Sequence, residues 1–216
     1  MTDHCGYLYN FKKIKEEVIK LNNNINFLVV TKNQPLSKIE ELIKLGQLKF
    51  AENRVQEAKD KWQNIIANNQ KIELHLIGKL QSNKSNDAFN LFSYIHTLDN
   101  DKLARIFSKI ESHSEKKIKY FIQVNMGNEL QKNGVAISEL NEFTKYCKND
   151  LKINIIGLMC IPPINDNPSA HFKKLFNLAK ENKLTQLSMG MSNDYTSAIE
   201  NGSTYVRIGS KIFSEN

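Results

Sequence analysis

The chain has 216 residues, of which 40% are hydrophobic and 25% are charged, and these values are typical of one ordinary soluble domain. The formal net charge is +7, but the basic residues are spread along the chain without a compact run or interleaved aromatic residues, so we expect no nucleic-acid partner. A positive field would equally favour a small anionic ligand.

The amino-terminal segment, the cysteines and the histidines exclude further classes. MTDHCGYLYNFKKIKEE lacks the apolar core of a secretion signal, and no stretch approaches about 18 consecutive apolar residues. Cys5, Cys147 and Cys160 are too scattered for a disulfide framework or a CxxC metal pair, and the five histidines lack metal-ligand spacing. We therefore expect a cytoplasmic protein with no membrane segment and no metal site, in which Cys147 and Cys160 are buried as small apolar side chains.

In chain order, the sequence alternates between amphipathic segments and short apolar runs. The first segment, 7–21, has apolar residues spaced three and four apart, which predicts a helix with one buried face. Eight runs rich in β-branched and aromatic residues predict strands at 26–31, 48–51, 73–77, 94–98, 119–125, 154–159, 186–189 and 205–208. A period of 3.6 residues predicts helices between them at 37–45, 54–67, 101–113, 138–149 and 169–181, several with Ser or Asp as the N-cap.

This alternation predicts parallel strands joined by crossover helices. Runs such as FLVV at 27–30 are almost continuously apolar, as in strands that are buried on both faces. Eight such units close into a single (β/α)8 barrel, a TIM barrel. The alternative is an open doubly wound sheet, but no G-x-G-x-x-G follows the first run. Because the sequence ends soon after the eighth run, we expect the leading helix to cover the wall of the barrel that an eighth helix would otherwise cover.

Lys32 is the first candidate functional residue, because the active face of such a barrel lies at the carboxyl ends of its strands. It closes the run FLVVTK, so we expect it to lie partly in the low-dielectric mouth of the barrel. Desolvation there favours the uncharged amine, which is a nucleophile for an aldehyde. The alternative is an ordinary strand-end lysine that reaches solvent.

The second candidate is an anion site after the seventh and eighth runs. Ser192 is expected to cap a short helix that begins near Asn193, and Gly209 and Ser210 would add donors from the next loop. Barrels of this type commonly bind phosphate at these two loops. The alternative is an ordinary capped helix and a glycine turn. Together with Lys32, the site favours a phosphorylated aldehyde held as a Schiff base.

Seven sequence blocks in collinear order carry a family resemblance: TK at 31–32, AENRVQEA at 51–58, HLIGKLQSNK at 75–84, QVNMGNELQKNG at 123–134, GLMCIPP at 157–163, LSMGMSNDY at 187–195 and GSTYVRIGSKIF at 202–213. Through them, the chain resembles the pyridoxal phosphate homeostasis protein family. The resemblance implies the alanine-racemase-type barrel (fold type III) without its second domain. It also implies one domain over 1–216 that binds pyridoxal 5'-phosphate (PLP).

The resemblance implies six cofactor-binding residues: Lys32, Asn53, Ser192, Arg207, Gly209 and Ser210. Lys32 matches the Schiff-base lysine, and Arg207 matches the arginine that faces the pyridine nitrogen. Since an arginine keeps its proton, that nitrogen would stay unprotonated and the ring would be a weak electron sink. Asn53 is expected near the ring, and the other three residues match the phosphate-binding segment.

Some positions depart from the family pattern. Gln34 stands where a second lysine is frequent, which puts a lysine relay for cofactor transfer in doubt. Ala51 and Arg54 replace a glycine and a tyrosine of the second block. Lys132 matches a lysine of the fifth-strand loop that receives or guides the cofactor, but the residues around it differ.

Three functions follow as alternatives: a PLP-binding protein that stores and delivers the cofactor, a PLP-dependent racemase-like enzyme or decarboxylase, and a nucleic-acid or protein adaptor. A racemase needs a second acid/base group, which in alanine racemases is a tyrosine from a second domain, and this sequence ends at Asn216. We therefore expect a monomer with no catalytic residues, whose partners are PLP and apo forms of PLP-dependent enzymes. Glu52 is interpreted as a helix-start carboxylate rather than a general base, and His75 as a core or rim histidine.

Overall fold

In the computed structural model, which describes residues 5–127 and 133–214, eight parallel strands close into a barrel in sequence order. The strands are β1 Asn26–Val30, β2 Lys49–Glu52, β3 Glu73–Leu76, β4 Tyr94–Leu98, β5 Lys119–Gln123, β6 Ile155–Met159, β7 Gln186–Ser188 and β8 Tyr205–Ile208. β8 pairs with β1, with Asn26 opposite Tyr205, which closes the ring. The (β/α)8 barrel is confirmed over the open sheet, and all eight predicted strands end within two residues of their predicted bounds.

Helices surround the barrel: α1 Cys5–Leu21, α2 Leu36–Lys44, α3 Val55–Asn68, α4 Ser85–Leu91, α5 Asp101–Ser112, α6 Leu140–Lys145, α7 Pro168–Glu181, α8 Tyr195–Glu200 and α9 Ser210–Phe213. A 3-10 turn at Ser82–Lys84 precedes α4, and a π-helical turn at Tyr146–Asp150 extends α6. The short helices α4 and α9 were not predicted, because seven and four residues are too few to show helical periodicity. The short helix expected near Asn193 is present as α8, which begins two residues later. No helix of the described residues is both long and apolar enough to cross a membrane.

The predicted N-caps Ser37, Asp101, Ser138 and Ser169 are all wrong, and the two long helices α5 and α7 show why. Asn100, rather than Asp101, precedes α5 and accepts a hydrogen bond from the backbone N–H of Leu103 at 2.9 Å. Asn167, rather than Ser169, caps α7. In both helices the predicted residue lies in the first turn, where a capping side chain no longer meets the unpaired N–H groups.

The leading helix α1 packs against α8 and α9. Its residues Phe11, Ile14 and Val18 are buried, whereas Leu21 at its last position is 40% exposed. The ring of Phe11 stacks on that of Phe27 in β1, with ring centroids 6.0 Å apart. The helix therefore covers the barrel where β8 meets β1, as predicted.

Side chains alternate along each strand between the helices and the barrel interior. The inner layer is a separate buried cluster: Leu28, Val30, Ala51, Tyr94, Phe121, Met159 and Tyr205. By the same period of two, Lys32 continues the inward series of β1 beyond Val30, and Arg207 continues that of β8 beyond Tyr205. The fold thus directs these two side chains toward one end of the barrel.

Candidate functional site

The six predicted site residues lie at the carboxyl ends of four strands that are consecutive around the ring, β7, β8, β1 and β2. They are Ser192 after β7, Arg207 near the end of β8, Gly209 and Ser210 directly after β8, Lys32 after β1 and Asn53 after β2. The structure therefore brings all six to one side of the same mouth. The described residues contain no group of three His, Cys, Asp or Glu side chains that could hold a metal ion.

Lys32 is exposed, which differs from the partial burial that we predicted. The reason is its place two residues beyond the last residue of β1, outside the packed inner layer. Its backbone is nevertheless held on both sides. Thr31 donates its hydroxyl to Glu52 at 2.7 Å, and the N–H of Asn33 donates to Glu57 at 2.6 Å. A fixed backbone thus presents an accessible amine at the mouth.

Glu52 is the centre of the contacts that hold this turn. Its carboxylate is fully buried, and Oε1 accepts hydrogen bonds from the hydroxyl of Thr31 and from Nε1 of Trp62. Nζ of Lys61, which is 13% exposed, lies 2.7 Å from the same oxygen and 2.7 Å from the carbonyl oxygen of Thr31. The interpretation of Glu52 as a helix-start carboxylate is wrong, because a lysine side chain, and not a helix terminus, compensates its charge.

The loops after β7 and β8 meet at Ser192. This serine is buried, and its hydroxyl oxygen accepts a hydrogen bond from the backbone N–H of Lys211 at 3.2 Å. The predicted capping role is wrong, since α8 begins only at Tyr195 after Asp194. Asp194 instead accepts a hydrogen bond from the N–H of Met191 at 2.6 Å, which closes the turn before the helix.

Gly209 makes the close packing of β8 on β1 possible. A Cβ atom at this position would lie 2.9 Å from the carbonyl oxygen and 3.0 Å from the Cβ of Val30. The following Ser210 is exposed and begins α9. A larger residue in place of Gly209 would push the loop after β8 away from the strand that leads to Lys32.

Arg207 is buried, and two of its donors have protein partners. Nη1 donates to the hydroxyl of Ser188 at 2.7 Å, and Nη2 donates to the carbonyl oxygen of Cys160 at 3.0 Å. Burial lowers the pKa of Arg207 below its usual range, but a guanidinium starts so high that it stays protonated in proteins. The site therefore contains a fixed positive charge.

His96 and Ser188 are functional candidates that the sequence reasoning missed. His96 contacts Ser188 through Nδ1 at 2.7 Å and His75 through Nε2 at 3.0 Å. Both rings are fully buried and stack on Phe121 and Tyr94 respectively, with centroids 4.2 Å apart in each pair. The two histidines could have been recognised from the runs ELHL and YIHTL, because each run places its histidine on the inward face of a strand. The interpretation of His75 as a core histidine is confirmed by its burial, although its Nε2 has no hydrogen-bond partner among the described residues.

Burial is also the main reason why both histidines are neutral. It lowers the pKa of His75 well below the usual value, and the positive charges of Lys49 and Lys119 add to the effect. For His96, burial is followed by the influence of His75 and Arg207.

One observation at the mouth indicates a place for a polar ligand. Oδ1 of Asn53 is buried and has no hydrogen-bond partner among the described residues, although buried acceptors are normally paired. The backbone beside it is fixed, since a Cβ on Gly78 would lie 2.0 Å from the carbonyl oxygen of Asn53. A cavity of about 250 Å³ at the carboxyl ends of β5 and β6 lies across the ring from these residues and is lined by none of the six predicted site residues. Gln34 is half-buried in the turn after β1, and Lys132 lies outside the described residues.

Comparison with known proteins first defines the class. The family described as alanine racemase, N-terminal domain, matches residues 8–216. The alanine racemase of Corynebacterium glutamicum superposes with a TM-score of 0.72 at 14% identity, over 98% of this chain and 60% of that one, so the likeness concerns the fold alone. The protein is thus an alanine-racemase-type barrel.

Relatives of higher identity define the family. The pyridoxal phosphate homeostasis protein of Vibrio alginolyticus is 38% identical over 88% of this chain and 86% of its own length. That of Pasteurella multocida is 32% identical over 94% and 92%. PipY of Synechococcus elongatus, solved with PLP bound, has a TM-score of 0.87 at 31% identity over 96% of this chain and all of its own. The chain belongs to the pyridoxal phosphate homeostasis protein family.

Proposed function

We propose that this protein binds PLP at the carboxyl end of its barrel, stores it and delivers it to apo forms of PLP-dependent enzymes. The names of the relatives and the PLP-bound PipY support the choice of ligand. The observation that carries the proposal is the arrangement around β7, β8 and β1, where an accessible lysine, two joined loops and a buried guanidinium surround one mouth. In this way the protein would influence amino-acid metabolism.

Lys32 is the residue that would hold the cofactor covalently. PLP supplies an aldehyde that condenses with an amine to a Schiff base, with loss of the aldehyde oxygen as water. The amine of Lys32 is exposed, while the contacts of Thr31 and Asn33 hold its backbone. This combination lets the amine meet a ligand without a rearrangement of the strand.

The segment formed by Ser192 and 209–211 would hold the phosphate. A hydroxyl that accepts a hydrogen bond, as Ser192 does from Lys211, still has its proton to donate. Ser210 is exposed beside it and begins α9. Donors to an anionic oxygen make stronger hydrogen bonds than donors to a neutral one, so this segment would contribute much of the affinity.

Replacing Ser192 or Ser210 by Ala should lower the affinity for PLP about ten- to a hundredfold, because each change removes a donor to a charged acceptor worth roughly 1.5–3 kcal/mol. Equilibrium titration of the purified variants measures this. Ser203→Ala is the control, since Ser203 is also buried but donates to the carbonyl oxygen of Met189 at 2.8 Å. If the Ser192→Ala and Ser210→Ala variants bind PLP as tightly as the Ser203→Ala control, these serines do not bind the phosphate.

Arg207 favours a carrier of PLP that catalyses no reaction of its own. A guanidinium that faces the pyridine nitrogen opposes protonation of that nitrogen by like charge. The ring then withdraws electrons weakly, and removal of the α-proton of an amino acid is disfavoured. Asn53, with its unpaired buried oxygen, would contact the ring from β2.

The experiment that separates a carrier from a racemase-like enzyme uses the loaded protein in deuterated water. L-alanine is added to one sample, and the α-proton is followed by NMR; a second sample receives an apo-transaminase. We expect slow or no exchange of the α-proton and activation of the transaminase. Exchange at enzyme-like rates would favour the racemase alternative instead.

We further propose that residues 1–216 act as a single PLP-binding domain and as a monomer in the cytoplasm. All six residues of the site come from one chain, so binding needs no second copy. Cys147 and Cys160 are buried free thiols, and burial raises the pKa of each to about 12. Both thiols are therefore unreactive, and their burial confirms that they are small apolar side chains of the core. Free thiols are typical of proteins in a reducing compartment.

A further inference from the structure

A line of hydrogen-bonded groups runs through the barrel interior from Arg207 toward the opposite end. Nη1 of Arg207 lies 2.7 Å from Oγ of Ser188, which lies 2.7 Å from Nδ1 of His96. Nε2 of His96 lies 3.0 Å from Nδ1 of His75. These four residues are buried, and the line ends where Nε2 of His75 lies 3.9 Å from the carboxylate of Glu73.

Arg207 sets the direction of the first two hydrogen bonds. A guanidinium only donates, so Ser188 must accept from it. The hydroxyl proton of Ser188 then points to Nδ1 of His96, because Arg207 and His96 are the contacts of this hydroxyl within the described part of the chain. If His96 donated to Ser188 instead, a fully buried hydroxyl proton would be left without an acceptor, which is unfavourable.

The far end of the line, at His75, agrees with the same direction. With Nδ1 of His96 as an acceptor, its proton is on Nε2 and is donated to Nδ1 of His75. His75 then also has its proton on Nε2, on the side of the negative carboxylate of Glu73. The reverse order would leave two buried groups without a partner among the described residues, the hydroxyl proton of Ser188 and the Nε2 lone pair of His75, whereas this order leaves only the Nε2 proton of His75.

We propose that Ser188, His96 and His75 are positioning residues, which form a one-directional hydrogen-bond chain that fixes the orientation of the Arg207 guanidinium. The inference deepens the proposed function and rests on it in one respect only, that Arg207 faces the pyridine nitrogen. Stacking on Phe121 and Tyr94 prevents the imidazole rings from turning. The guanidinium thus has one orientation before any ligand arrives, which lowers the cost of binding.

The tautomers of the histidines test the chain without any cofactor. Long-range proton–nitrogen NMR of the purified, 15N-labelled protein distinguishes a protonated Nδ1 from a protonated Nε2. We expect His75 and His96, assigned by single His→Asn substitutions, to be neutral and protonated on Nε2. A protonated Nδ1 on His96 would overturn the proposal, and this measurement needs no variant of Ser188 to fold.

The orientation of Arg207 is tested with two ligands, PLP and its analogue in which a carbon replaces the pyridine nitrogen. Ser188→Ala should weaken binding of PLP about three- to tenfold, the usual worth of one hydrogen bond, and should leave binding of the analogue unchanged. Ser203→Ala, another buried serine of this region, is the matched control and should change neither affinity nor the spectrum of His96.

The outcomes separate the two proposals. If Ser188→Ala weakens both ligands equally, or behaves like Ser203→Ala, then Ser188 does not position Arg207 and the inference is wrong. If the parent protein binds neither ligand, the proposed function fails, while the tautomers still decide whether the hydrogen-bond chain exists.

Discussion

Lys32→Ala is expected to abolish the pH-sensitive Schiff-base absorption band, at about 420 nm, of PLP bound to this protein. The substitution removes the amine that would form the Schiff base, whereas the phosphate and ring contacts remain. Binding of PLP should therefore become weak and noncovalent rather than disappear. The measurement is the absorption spectrum after addition of PLP, together with borohydride reduction, which makes the Schiff base permanent, and peptide mapping of the labelled lysine.

The matched control for this change is Lys79→Ala. Lys79 is also exposed and also follows the carboxyl end of a strand, β3, at the same end of the barrel. We expect the control to keep the absorption band and the label on Lys32. A label on Lys79, or a band that survives in Lys32→Ala, would show that the covalent assignment is wrong.

The barrel could be predicted from the sequence because its strands differ sharply from their surroundings. Runs such as FLVV and IIGLM are buried on both faces, so their continuous apolar character identifies them without a partner strand. The helix after β8 could not be predicted, since α9 has only four residues, and the helix expected near Asn193 after β7 begins only at Tyr195. Their starts depend on how the two loops pack on each other, and the hydrogen bond between Ser192 and Lys211 exists only after folding.

The site was predictable where its residues follow a strand and unpredictable where they depend on neighbours. Strand ends identified Lys32, Arg207 and Gly209, since all of them come directly after or within an apolar run. The exposure of Lys32 and the partners of Arg207 are tertiary properties. Ser188 and His96 are 92 residues apart in sequence and meet only because the barrel is closed.

Glu52 shows the same limit in energetic terms. The sequence places it before a helix, where a carboxylate would have no specific partner. The contact with Lys61 lies within one turn-and-helix segment, but it becomes costly to break only because the barrel buries Glu52 completely. The contribution of this contact to stability depends on burial, which no local sequence pattern predicts.

Lys61→Met should destabilise the protein by about 3–5 kcal/mol, the usual cost of leaving one member of a buried ion pair without its partner. Methionine keeps the apolar stem of the side chain, so the loss concerns the charge next to Glu52 and Glu57 and the donor to the carbonyl oxygen of Thr31. Urea unfolding at neutral pH measures this as a lower midpoint with an unchanged slope. Adding Glu52→Gln to Lys61→Met should restore part of the stability, because the fully buried side chain of residue 52 is then uncharged and only the partly exposed carboxylate of Glu57 stays without Lys61.

Lys59→Met provides the control within the same helix. Lys59 pairs with Asp87 at 3.0 Å, but its side chain is 44% exposed, and such a surface pair contributes only about 0–1 kcal/mol. If Lys61→Met costs no more than Lys59→Met, then the ion pair does not stabilise the fold as its burial implies. A large loss of stability for Lys61→Met, but not for Lys59→Met, would instead show that the Lys61–Glu52 pair supports the turn that presents Lys32. Thr31, the residue before Lys32, is hydrogen-bonded to both Lys61 and Glu52.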